Sequence, residues 1–132
     1  MSLPVPTQNA MLLGNGLIAQ VRKVQDHQRA HGRPPQRPYL TYTQLVEQTG
    51  ARLALVGIGN FLDEIMDAIH APSVPPGLRG LTLFVTNAKG QIDYRGDHWF
   101  GITPQNALQY RKSVLDQDWT SIAFVSAPES SR

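Results

Sequence analysis

The sequence predicts an α+β fold built as one domain, and three observations carry that prediction. Two long stretches repeat their apolar residues at helical spacing. The pattern then changes to a run of β-favouring residues over positions 81–86 (LTLFVT). Clusters of proline and glycine separate these segments. The chain has 132 residues, the length of an ordinary domain. Hydrophobic residues make up 41% and charged residues 17%, which excludes a long disordered chain. The absence of cysteine excludes disulfide scaffolds, cysteine nucleophiles and thiolate metal sites, and fits a reducing, cytoplasmic setting. No apolar run approaches the roughly 20 residues of a membrane span. Residues 1–20 lack the basic start of a signal peptide.

Residues 1–8 (MSLPVPTQ) hold two prolines and read as an irregular arm. An N-terminal helix follows over residues 9–31, with Leu13, Leu17, Val21 and Val24 on one stripe and Gly32 as its stop. Gly14 and Gly16 weaken its first turns by about 1 kcal/mol each relative to alanine. Residues 33–38 (RPPQRP) form a stiff basic linker, because three prolines forbid a helix. Thr41 and Gln44 have the spacing of a capping box, so a short helix starts there and ends at Gly50. Another helix spans residues 57–71, where Ile58, Phe61, Leu62, Ile65, Met66 and Ile69 repeat at i, i+3, i+4, i+7. After the strand at 81–86, residues 87–90 (NAKG) are turn chemistry, and residues 91–94 and 98–102 read as returning strands. Thr103-Pro104 starts a last helix, which runs to about Gln117. Trp119, Ile122, Phe124 and Val125 form a short apolar segment suited to docking on the core, and residues 127–132 are a polar tail.

Charge divides unevenly. Residues 1–60 carry six bases and two acids, whereas residues 61–132 carry six bases and eight acids. A basic first half can attract phosphate or an acidic partner. The order helix, turn, helix, strand, tight turn is that of a helix-turn-helix followed by a wing. Residues 39–126 therefore read as a winged-helix-like three-helix core with a small antiparallel β wing and a C-terminal helix, to which the N-terminal helix is an addition.

Specific residues add a family resemblance. Thr41-Tyr42-Thr43-Gln44-Leu45-Val46, then Gly50, Val56-Gly57 and Leu62 resemble the DNA-binding domain of alkylguanine-DNA alkyltransferases and alkyltransferase-like proteins. There a Ser/Thr-Tyr-x-x-Leu-Ala helix precedes a recognition helix that opens near a Val-Gly pair. Residues 74–85 also resemble the Leu-Pro-x-Leu-x-x-Leu-Val-Val strand of small bacterial proteins sharing this start, a group that the Gly101 region and Asp118-Trp119 fit as well. Together the resemblance covers about residues 38–120 through short, degenerate motifs. It implies DNA binding, with Tyr42 near a phosphate. The alkyl-accepting cysteine is absent, so that reaction is excluded. The arginine that replaces a flipped base has no counterpart either, since Ala54 or Val56 stands at its position and Arg52 is displaced.

The remaining constellations have simpler structural readings. His27 and His31 share a helix face beside Asp26, but no metalloprotease glutamate follows His27. Asp97 and His98 would point to opposite faces of a strand. Gly14-Asn15-Gly16 and Gly57-Ile58-Gly59 lack the rest of a phosphate-binding fingerprint. Trp99, Tyr110 and Trp119 suit a core better than a base-stacking platform.

We therefore expect no enzymatic activity, no cofactor and no metal. The first expectation is a DNA-binding module contacting DNA through Tyr42, Arg52, Asn60, Lys89, Arg33 and Arg37. The alternative is a protein-interaction module, such as an inhibitor, immunity factor or adaptor, that offers Asp63, Glu64 and Asp67 as a solvated acidic helix face to a basic partner. The stripe on the N-terminal helix also suits pairing with a second copy.

Overall fold

The computed structural model describes residues 1–54, 57–92 and 101–126, and its elements mix helices with short strands. Helix α1 (Gln8–His31) is the axis of the molecule. The Thr7 hydroxyl caps its start by accepting from the Ala10 N–H, and Gly32 ends it at φ 71°, donating to the Gln28 carbonyl. Its stripe of Leu13, Leu17, Val21 and Val24 is fully buried. Helix α1 packs against β1 (Ser2–Val5), α2 (Tyr42–Thr49), α3 (Ile58–Ile69), α4 (Ala107–Leu115) and β4 (Ala123–Ser126). It is therefore not an appended helix. The stripe read as a pairing surface for a second copy is buried within the chain itself.

Residues 1–8 are not irregular. Strand β1 pairs in parallel with β4, in the register Ser2 with Ala123 to Val5 with Ser126. Leu3 and Val5 point into the core while Ser2 and Pro4 stay exposed, so four residues carry the alternation of a half-buried strand. The Ala123 N–H donates to the Met1 carbonyl, which turns the backbone of the odd-numbered residues toward β4. Backbone groups of Ser2 and Pro4 then face outward, where proline lacks the N–H that a further strand would need.

Helix α2 follows the predicted capping box. Thr41 Oγ1 accepts from the Gln44 N–H at 3.2 Å, and Gln44 Oε1 accepts from the Thr41 N–H at 3.0 Å. Helix α3 buries Ile58, Leu62, Ile65, Met66 and Ile69. The expected strand at 81–86 is mostly a buried 3-10 turn (Leu81–Phe84), and only β3 (Val85–Thr86) is extended. All six residues are buried, so no exposed face sets a period that would separate strand from helix. Gly80 admits the close crossing of α4, since a Cβ there would lie 2.6 Å from the Tyr110 carbonyl.

Strand β3 pairs in parallel with β2 (Leu40–Thr41), rather than in the antiparallel wing expected. The predicted return over 91–94 and the strand over 98–102 fall largely outside the described residues, as do Asp97-His98-Trp99 and the tail. The turn at 87–90 is present, with Gly90 at φ 78° and the Asn87 N–H donating to the Gln91 carbonyl. Helix α4 starts at Ala107 and not at Pro104. The Asn106 side chain accepts from the Thr103 N–H and closes a separate turn ahead of the helix. Trp119 is buried, and its indole N–H donates to the Val114 carbonyl at the end of α4.

Candidate functional site

Three of the four cationic residues singled out by sequence, Arg33, Arg37 and Arg52, lie along one flank of α1. Four contacts trace the path. His27 Nδ1 lies 3.2 Å from the Arg33 carbonyl, and the Gln20 side chain donates to the Pro38 carbonyl at 2.8 Å. Gly16 abuts Leu45 and Thr49 of α2, and the Asn9 side chain donates to the Arg52 carbonyl at 3.3 Å. Residues 9, 16, 20 and 27 share one helix face. The chain from Arg33 to Arg52 thus runs back along α1, over about 27 Å at the rise of an α-helix. Arg33, Arg37 and Arg52 are exposed on this path, and exposed Lys23 shares the α1 face that it follows.

Tyr42 opens α2 and packs half-buried against the core. The parallel register of Thr41 with Thr86 brings the next residues, Tyr42 and Asn87, off the ladder at the same end. Exposed Lys89 follows in the turn, where its N–H donates to the Asn87 side chain. Tyr42 and Lys89 therefore belong together, and Arg33 and Arg37 lie before β2. Arg52 lies past the far end of α2, and exposed Asn60 sits in the first turn of α3. The predicted residues form a string rather than one patch. Among the described residues the ion pair is Arg29 with Asp26, so Arg33, Arg37, Arg52 and Lys89 hold no carboxylate there.

The acidic side of α3 differs from its predicted solvated face. The Glu64 carboxylate accepts from the Thr7 N–H and hydroxyl, both at 3.0 Å on Oε1. It clasps the cap of α1, where a negative charge also suits the helix dipole. Glu64 is thus a structural residue, Asp63 is half-buried, and Asp67 is exposed. Nothing local could reveal the Thr7–Glu64 contact, since the two residues are 57 positions apart.

Gly14-Asn15-Gly16 is a packing device. A Cβ at Gly14 would lie 2.5 Å from the Phe124 ring, and one at Gly16 would lie 2.3 Å from Thr49. Between them, Asn15 donates to the Phe124 carbonyl at 3.1 Å and accepts from its N–H at 2.7 Å. The side chain closes the edge of β4 that faces away from β1. His27 and His31 have ring centroids 4.3 Å apart, and no group of three or more metal-ligating side chains occurs among the described residues.

Two depressions among the described residues bear on function. A cleft of about 710 Å³ lies between α1 and the end of α4, lined by Arg22, Arg29 and Lys112 but also by Asp26, Asp116 and Asp118. Its charges compensate one another. The Thr120 hydroxyl and then its N–H hold the Asp118 carboxyl below the usual carboxylate range, helped by Arg22 and Arg29. The second depression is a groove of about 560 Å³ between β1 and α3. No helix among the described residues is long and apolar enough to cross a membrane. No protein-family model matches the chain, and neither does any curated protein or solved structure.

Proposed function

We propose that the chain is a non-enzymatic DNA-binding module of winged-helix type that grips phosphates along the flank of α1 and α2. The observation that carries this reading is the string of exposed cations Arg33, Arg37, Arg52 and Lys89, none of which is ion-paired among the described residues. Unpaired cations at successive points along an extended path suit a polymer with regularly spaced negative charge. The succession of α2 and α3 supports the helix-turn-helix part of this reading, and the turn at 87–90 supports the wing, although β3 itself pairs in parallel with β2. Base reading by α3 has little support, because Asn60 is its one exposed amide and Asp67 its exposed acid. The module is accordingly a reader of backbone rather than of sequence. Fluorescence anisotropy with labelled duplex and single-stranded DNA at two salt concentrations tests this. Binding that weakens with salt and with Arg52→Glu is the expected result, and no binding at low salt removes the reading.

The second reading, protein interaction through the acidic side of α3, keeps Asp67 but has lost Glu64 to Thr7. What favours it is the groove beside Asp67.

A further inference from the structure

The groove between β1 and α3 has a uniform chemistry. Pro4, Pro6, Ala68, Ala71 and Val74 give it an apolar floor and walls. Glu64 and Asp67 supply carboxylates, and among the described residues no lysine, arginine or histidine lines it. The Met1 ammonium at its rim donates to the Ser121 carbonyl. The wall contributed by β1 is acceptor-rich for a separate reason. The register turns the backbone of Ser2 and Pro4 away from β4, and Pro4 and Pro6, which both line the groove, have carbonyls but no N–H donors. A regular strand could not complete a ladder there, because half of that ladder needs donors.

We propose that this groove docks an extended, arginine-bearing segment of a partner protein. Arginine is the side chain that matches each feature at once. Its methylene stem lies along an apolar floor, and its guanidinium is a planar set of five donors with no acceptor. Asp67 is the exposed carboxylate in reach of such a group, while Glu64 stays bound to Thr7. An acidic segment would meet the Glu64 and Asp67 carboxylates, which repel it. The proposal rests on the second reading above and narrows it from a charged helix face to a groove with a defined guest. It is independent of the cationic flank, which follows α2 and the linker.

The test is fluorescence anisotropy of the full chain with a labelled peptide alternating arginine and alanine, and with its glutamate counterpart. Asp67→Lys removes the carboxylate at an exposed site, and Ala71→Leu fills the half-buried floor. Circular dichroism melts confirm that both variants fold. Salt-sensitive binding of the arginine peptide is expected, with no binding of the glutamate peptide. Each variant should weaken it by about tenfold or more, the effect of losing one charge-assisted contact or its apolar seat. Loss with Asp67→Lys but not with Ala71→Leu overturns the groove and leaves the acidic face standing. Indifference to both variants, or no binding by the wild-type chain, overturns the groove and the acidic-face reading together.

Discussion

Asn15 shows how one side chain can substitute for a strand. Its amide meets both backbone groups of Phe124, closing an edge that would otherwise lie unpaired against the buried side of α1. Asn15→Leu keeps the volume but removes both partners. The expected loss is about 2–4 kcal/mol, because each buried backbone group left unsatisfied costs about 1–3 kcal/mol. Urea denaturation checks it, and a change below about 0.5 kcal/mol would show that water replaces the amide. His70 gives a second expectation at this scale. Burial holds its pKa below the ordinary 6.5, with nearby Arg79 adding to the effect, while the Met66 carbonyl and Asp67 oppose it. The unfolded chain therefore takes up the proton more readily than the folded one. Stability is unaffected well above pH 6.5, falls as pH drops through that value, and levels off below the folded pKa. Urea midpoints between about pH 8 and about pH 5 should show this slope, and His70→Gln should flatten it.

Among the elements, β1 makes the strongest use of few residues. Leu3 and Val5 bury the strand on one side, and Pro4 and Pro6 blunt its outer edge on the other. Replacing both prolines by valine restores an outward N–H on β1 and a second just past its end, and raises β propensity. That double variant should self-associate at concentrations where the wild type stays monomeric, as read by sedimentation velocity. Unchanged sedimentation would show that the neighbouring α3 already covers the edge. The same strand shows where sequence reading stops. Elements with local signals were legible: the stripe and Gly32 stop of α1, the capping box and Gly50 of α2, the stripe of α3, and the turn at 87–90. Two prolines in eight residues argued for an irregular arm, because the partner that makes them edge residues, β4, lies some 120 positions away. The buried run at 81–86 failed for lack of an exposed face to set its period. In Gly14-Asn15-Gly16 the glycines read as weaknesses of a helix, whereas close approach of Phe124 and Thr49 requires them. The exposed cations were readable as residues, but their alignment was not. It depends on α1 being the axis against which Arg33 to Arg52 is laid.

At the scale of the whole molecule, that alignment yields a quantitative expectation. Helix α1 is a rigid rod buried against nearly every other element, and the linker and α2 are tied to it at Arg33, Pro38, Leu45 and Arg52. Cations fixed along a rod cannot gather around a single phosphate, so each should neutralise a different one. Binding that releases one counterion per contact falls with salt at a slope of about 0.9 per phosphate on duplex DNA and about 0.7 on a single strand. Four cations, Arg33, Arg37, Arg52 and Lys89, then predict a slope of about 3–4. Removing Arg52 alone should lower that slope by about 1, and removing Arg33 with Arg37 by about 2. Asp67→Asn, on the opposite business of α3 and the groove, should leave it unchanged. Anisotropy titrations across a salt series measure every term. Equal slopes for wild type and all arginine variants would mean that the string of cations does not touch DNA. A single variant that abolishes the whole slope would instead point to one compact phosphate site, which a rod with charges spread over about 27 Å does not provide.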